Sequence, residues 1–220
     1  AGMGTASREP DPDNYEHAHD FCDVIVVGSG PSGVAAAIEA AEKKLDVILV
    51  EQDSLIGGDQ LSENDFSTTS ILNQLQSLGI KIMTRTTAFG LYDNCVVGLL
   101  ERVRDHLSMK DSILPRQRLW TIRAKHIIVG SGALERHIAF NNNDIPGVMT
   151  VNASKHYLNR YGVLTGKDIV IATNNDSVYV TAQELSEAGA NVTVLDSRTN
   201  IEIDTNKNFE IRKGSVPYNI

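Results

Sequence analysis

The chain has 220 residues, 41% of them hydrophobic, which is enough for one large core or two small ones. Its formal charge of −8 argues against nucleic acid or an anionic membrane surface as a partner, because both demand clustered Lys and Arg. Apolar runs such as Val24–Val27 and Ile169–Ala172 are far shorter than the roughly 20 residues that cross a bilayer, so no membrane span is expected.

Residues 1–20 are polar, with Pro10, Pro12 and several charges, and read as an extended arm or linker. Asp23–Val27 is a β-branched apolar run of the kind that forms a buried parallel strand. The loop Gly28-Ser29-Gly30-Pro31-Ser32-Gly33 follows, then an alanine-rich, helix-favouring stretch from Val34 to Lys43. Val47–Val50 is a second buried strand, and the three pieces make one βαβ unit. Residues 54–66 form a polar loop containing Gly57-Gly58. Residues 67–78 form a helix with Ile71, Leu72, Leu75 and Leu78 on one face. Ile80–Met83 is a third strand.

From Thr86 to Ile122 the pattern changes. Short runs at Val96–Val103 and Arg118–Arg123, separated by a charged stretch, read as an inserted antiparallel meander. His126–Val129, followed by Gly130-Ser131-Gly132, returns to the parallel sheet. A second strand, helix and strand follow at Lys167–Ala172, Ser177–Gly189 and Asn191–Asp196, in the same order as the first unit. The fold class is therefore α/β, a Rossmann-like two-dinucleotide-binding architecture with an inserted meander and the start of a second βαβ unit. The expected domains are residues 21–162 for dinucleotide binding and 163–220 for the second, incomplete-looking unit.

The glycine loop carries the chemistry because its context is right: it follows a strand and opens a helix. Gly28 permits the tight turn, Gly30 lets backbone approach a pyrophosphate, and Gly33 lets the helix pack on the strand. Pro31 and Ser32 complete the helix start, whose N–H groups and partial positive charge suit phosphate. Glu51 ends the second strand, 21 residues after Gly30, where an acid can accept two ribose hydroxyls and would repel a 2′-phosphate. NAD or FAD is thus expected, not NADP. Gln52, Gly58, Thr87, Ala88, Gly130, Ser131 and Gly132 complete the candidate cofactor-binding set.

The second unit has Thr173-Asn174-Asn175-Asp176-Ser177 where the first has glycines. Backbone there cannot approach a pyrophosphate in the same way, and Asp176 would repel one. Asn175, Asp176 and Ser177 suit helix capping, and Asp196 reads as a strand-end residue. The histidines (His17, His19, His106, His126, His137 and His156) share no metal-ligand spacing, so no metal is expected. Cys22 and Cys95 form no disulfide framework and read as packed rather than reactive. Arg116, Arg118 and Arg123 read as a solvated meander edge. No residue is assigned as catalytic. No signal peptide is evident, and the cytoplasm is the expected compartment.

Several stretches share one likeness: Asp11–His17, Thr86–Asp93, Pro115–Trp120, Gly132–Arg136 with Phe140, Asp144–Met149 and Ala172–Ser177. This set resembles the α subunits of heterotetrameric sarcosine oxidases, from about Arg8 to Asp196. His137 departs from the proline more usual there. The resemblance implies an internal piece of a longer oxidoreductase subunit, cytoplasmic, with β, γ and δ subunits as partners. It implies NAD bound without turnover at this loop, with FAD as the alternative. FMN, a second FAD and tetrahydrofolate would lie outside this chain or at its edge, where sarcosine is oxidised by O2.

Overall fold

The computed structural model describes residues 4–6, 8–63, 66–107, 113–202 and 208–218. It divides into two compact units. One takes in the chain up to Leu61 and Ser67–Gly132; the other takes in Ser62–Phe66 and Ala133–Ile220. Residues 133–162, grouped with the first domain on sequence, cluster with the second unit, because the helix they carry packs on the second core.

The first unit contains β1 (Tyr15–Val27), α1 (Pro31–Glu42), β2 (Val47–Val50), α2 (Thr68–Ser77), β3 (Lys81–Met83), β4 (Thr86–Tyr92), β5 (Val96–Arg102) and β6 (Gln117–Val129). They form one sheet in the order β3-β2-β1-β6-β5-β4. β3, β2, β1 and β6 run parallel, and the pairs β4–β5 and β5–β6 are antiparallel. β1 and β6 are both 13 residues long and join the two regimes. Their C-terminal halves, Val24–Val27 beside His126–Val129, lie in the parallel sheet. Their N-terminal halves, Tyr15–Cys22 beside Gln117–Ala124, extend into the meander.

This corrects the reading of residues 1–20 as an unpacked arm: from Tyr15 onward they are strand. β5 covers one edge of Gln117–Arg123, and Tyr15–Cys22 satisfies the backbone groups along the other. The runs read separately at 118–123 and 126–129 are one strand; residues 108–112, within the charged stretch before them, lie outside the described residues.

Alternation along the strands sends side chains to two cores. Val24, Val26, Val47 and Leu49 pack with Val34, Ala37 and Ala40 of α1 and Leu75 of α2. Ile25, Ile48, Val50 and Met83 pack beneath the meander with Val97, Leu99 and Ile122. The meander thus covers the sheet face that α1 and α2 leave open.

The second unit contains α3 (Val151–Tyr161), β7 (Asp168–Thr173), α4 (Val178–Glu187), β8 (Asn191–Asp196) and β9 (Glu210–Lys213). Its three strands are parallel, in the order β7-β8-β9. β7, α4 and β8 are the repeat expected from sequence. α3 and β9 are not anticipated by hydrophobic pattern. α3 is polar and packs Val151 and Leu158 against the core. Its ends are well specified: Thr150 Oγ1 accepts from Ala153 N at 3.3 Å, and the Glu135 carboxylate accepts from Val151 N and Asn152 N at 3.1 and 2.7 Å. Gly162 closes it in the left-handed conformation at φ +66°. The Thr150 and Gly162 pair was the legible signal.

Candidate dinucleotide-binding site

The glycine loop joins β1 to α1 at the C-terminal end of the parallel strands. Gly28 N donates to Val50 O and Gly130 N to Val27 O, each at 2.8 Å, so both strand ends are held on either side of β1. Three glycines there pack backbone on backbone. A Cβ on Gly28, whose φ is +99°, would collide with Gly130 O. A Cβ on Gly33 would collide with Gly28 O. A Cβ on Gly130 would come within 3.2 Å of Gly33 Cα and N. Gly130 therefore serves the loop by close packing.

Gly30 differs from these. Nothing lies within 4 Å of a Cβ added there, so it faces open space. It is also the N-cap of α1, and no side chain caps that terminus. α1 begins at Pro31, three residues earlier than expected, with proline in the first turn where its missing N–H costs nothing. The first-turn N–H groups of a helix have no intrahelical acceptor, and the first turn of α1 carries no acidic residue. No side chain therefore occupies this helix terminus.

Ser29 is fully buried and ties the site together. Its N and Oγ both donate to Glu51 Oε2, at 3.0 and 2.5 Å. Gly57 N donates to Ser29 O and Ser29 Oγ, both at 3.1 Å. Glu51 is only 8% exposed, and its other oxygen, Oε1, accepts from Asp53 N at 2.8 Å. A carboxylate has about four acceptor positions, and these contacts use three. A ribose hydroxyl can take the remaining position on Oε1; a second must displace the Ser29 hydroxyl. Glu51 is thus both a structural acceptor and the carboxylate at the expected place. Sequence reading did not find Ser29, whose signal was its position between Gly28 and Gly30.

Of the other expected residues, Gly58 has φ +57°, and a Cβ there would lie 3.0 Å from Gly30 Cα. The loop after β2 therefore closes on the glycine loop. Ser32 is exposed, with its Oγ 3.4 Å from the Cβ position of Gly130. Gln52 is exposed, and its carbonyl accepts from Arg102 Nη2. Thr87 and Ala88 lie in β4 opposite Leu100 and Leu99; the preceding Thr86 N donates to Glu51 O at 2.8 Å, which brings this strand start to the end of β2. Ser131 and Gly132 are exposed and follow β6.

The second loop is built differently. Asn175 Oδ1 accepts from Ser177 N at 3.0 Å, a local turn that precedes the helix, and the N-cap residue Ser177 makes no side-chain cap, so the capping expected of this segment is not found. Asp176 is drawn to Arg198 Nη2 at 2.7 Å instead of the helix start. Asp196 is fully buried, accepting from Arg198 N, Nε and Nη2 and from Tyr179 Oη. The Arg198 guanidinium, seconded by Tyr179, holds the Asp196 carboxyl well below the usual carboxylate range. Burial, then the bond to Asp196, pushes Tyr179 up to about 12. This is an ion-paired hub with side chains where the first unit has glycines.

Burial pushes the Cys22 thiol up to about 11, in keeping with a packed residue. Cys95 corrects the same expectation: it is exposed, in the turn between β4 and β5. Arg116 and Arg118 are paired with carboxylates, Asp13 and Asp105 for the first, Glu16 and Glu101 for the second. Among the described residues, no group of three or more His, Cys, Asp or Glu could hold a metal, and no helix is long and apolar enough to cross a membrane.

Comparison with known proteins bears on this site. The α subunit of sarcosine oxidase from Rhizobium meliloti (strain 1021) is 44% identical over 215 residues, covering 93% of this chain and 22% of that subunit. The corresponding subunit of Corynebacterium sp. (strain P-1) is 36% identical over 211 residues, covering 91% and 22%. The chain thus spans about a fifth of the length of these curated relatives. Among solved structures, L-proline dehydrogenase from P. horikoshii matches with a TM-score of 0.65 and 22% identity, over 92% of this chain and 44% of that one, a likeness of fold alone. The family profile for FAD dependent oxidoreductases matches residues 23–156. Because that match spans more than half of the chain and takes in the whole glycine loop, the chain belongs to the FAD dependent oxidoreductase family.

Proposed function

We propose that this chain is the dinucleotide-binding portion of a sarcosine oxidase α subunit, holding the ADP half of NAD non-covalently at Gly28–Gly33. The observation that carries this is the contrast at the loop: Gly28 and Gly33 are closed by backbone, while Gly30 opens onto space beside an uncapped helix terminus. Those features fit a pyrophosphate, and Glu51 supplies an acceptor for ribose. Gly58 lets the loop after β2 close near the cofactor, with Thr87 and Ala88 beside it.

NAD, when bound, supplies a nicotinamide ring able to accept hydride; the contacts assigned to this chain all concern its ADP half. In the whole enzyme, with its β, γ and δ subunits, sarcosine would be oxidatively demethylated with O2 and tetrahydrofolate. FAD at this same loop is the second reading, and the family match supports it.

The test is to purify the full-length subunit in its complex, denature it, and identify the released nucleotide. One equivalent of NAD is expected. One FAD per α glycine loop would replace this reading with the second, and no adenine dinucleotide at all would overturn both.

A further inference from the structure

A small hollow of about 160 Å³ lies beside the end of β2, lined by Arg85, Arg102, Asp105 and His106. Arg85 has φ +53°, a left-handed conformation that a long side chain rarely adopts. Two backbone bonds hold it there: Arg85 N donates to Asp53 O at 2.7 Å, and Arg102 N donates to Arg85 O at 3.0 Å. Strain of this kind persists only where surrounding structure enforces it, and it gathers at binding sites.

The charges point the same way. Arg104, Arg116, Arg118, Arg198 and Arg212 are each paired with a carboxylate. The half-buried Arg85 side chain makes no hydrogen bond or ion pair among the described residues. Arg102 donates through Nη2 to a neutral acceptor, the Gln52 carbonyl, and the carboxylate near it is that of Asp105. Asp105, the acid in the hollow, is committed elsewhere: Oδ1 accepts from Arg116 Nε at 2.7 Å and Oδ2 from Gln117 Nε2 at 3.4 Å. Two guanidinium forks with unused donors, and an imidazole beside them, match a tetrahedral oxyanion.

We propose that Arg85, Arg102 and His106 form a binding site for a phosphate group. The two arginines hang from the carbonyls of Gln52 and Asp53, directly after Glu51. The phosphate is therefore either a free inorganic ion or a 2′-phosphate on an adenosine; the second source would replace NAD with NADP at the glycine loop, against the repulsion expected from Glu51. The hollow has the room of about five waters, enough for either.

The experiment uses the full-length subunit. Inorganic phosphate is titrated calorimetrically at constant ionic strength against a chloride control, then 2′,5′-ADP against 5′-ADP, for the wild type and for Arg85→Asn and Arg102→Gln. Asn tolerates the left-handed backbone, so Arg85→Asn removes the guanidinium without forcing the turn. Saturable phosphate binding is expected, weakened at least tenfold in both variants. Tighter binding of 2′,5′-ADP than of 5′-ADP, by tenfold or more and lost in Arg85→Asn, identifies the 2′-phosphate as the source. Equal binding of the two nucleotides identifies free phosphate. No saturable phosphate binding, or binding unchanged in both variants, overturns the site. NAD is titrated into the wild type alongside; no NAD binding with phosphate binding intact would sink the nucleotide reading and leave this one standing.

Discussion

Ser29 Oγ donates to Glu51 Oε2 at 2.5 Å, between two buried side chains that anchor the glycine loop to the end of β2. Ser29→Ala removes that bond and the one from Gly57 N to Ser29 Oγ. A loss of about 1–3 kcal/mol is expected in urea unfolding, the usual cost of leaving a buried acceptor short of a donor. NAD should still bind, since the freed Oε2 position suits a ribose hydroxyl. Glu51→Ala should weaken NAD at least tenfold by calorimetry; unchanged affinity would remove Glu51 from the site.

The loop glycines should separate into two classes. Gly33→Ala and Gly28→Ala place a Cβ into Gly28 O and Gly130 O respectively. Each should destabilise by more than about 2 kcal/mol, as overpacking against rigid backbone does. Gly30→Val has open space around its Cβ, so its melting temperature should stay near wild type while NAD binding is lost. If all three variants melt alike, the division between packing and ligand-facing glycines is wrong.

The Asp196 hub should make the second unit sensitive to acid. The folded state holds Asp196 below its unfolded value, so the pair's contribution is present above about pH 4 and is lost as pH falls through that range toward the lower folded value. Arg198→Gln should shift the acid transition, followed by far-ultraviolet circular dichroism, to higher pH. Coincident transitions would show that Arg198 does not hold this carboxyl.

The basic side of the same hub has the opposite sign. Tyr179 is raised to about 12, so its contribution is full below about pH 10 and is lost as pH rises through about 12. An ultraviolet titration should show a tyrosine that ionises near pH 12, and Tyr179→Phe should delete that step.

The turn between β4 and β5 carries Asn94 and Cys95 at φ +58° and +55°. The turn has three residues, Asp93–Cys95, and glycine reaches the left-handed conformation without the cost that a Cβ brings. Cys95→Gly should stabilise the protein by about 1 kcal/mol in thermal or urea unfolding. In the native state a thiol reagent should modify the exposed Cys95 and spare Cys22, whose burial holds its thiol at about 11. Modification of both at equal rates would contradict the packing of β1.

The sequence by itself determined the βαβ unit from Asp23 to Glu51 and its partial echo from Lys167 to Asp196. Each rests on local physics: β-branched runs, a glycine turn, an alanine-rich helix and a strand-end acid act within a few residues of one another. Only the tertiary structure decided the rest. Tyr15–Asp20 is polar and looks unpacked until β6 offers an unpaired edge. Gly130 reads as a cofactor-side glycine until its carbonyl meets Gly28. Arg85 looks like one basic residue among twenty until the carbonyls of Asp53 and Gln52 gather it with Arg102. Glu51 was legible as a carboxylate in the right place, but its sharing of acceptor positions with Ser29 and Asp53 was not. These features depend on partners remote in sequence, and periodicity and spacing carry no record of which remote backbone will fold against them.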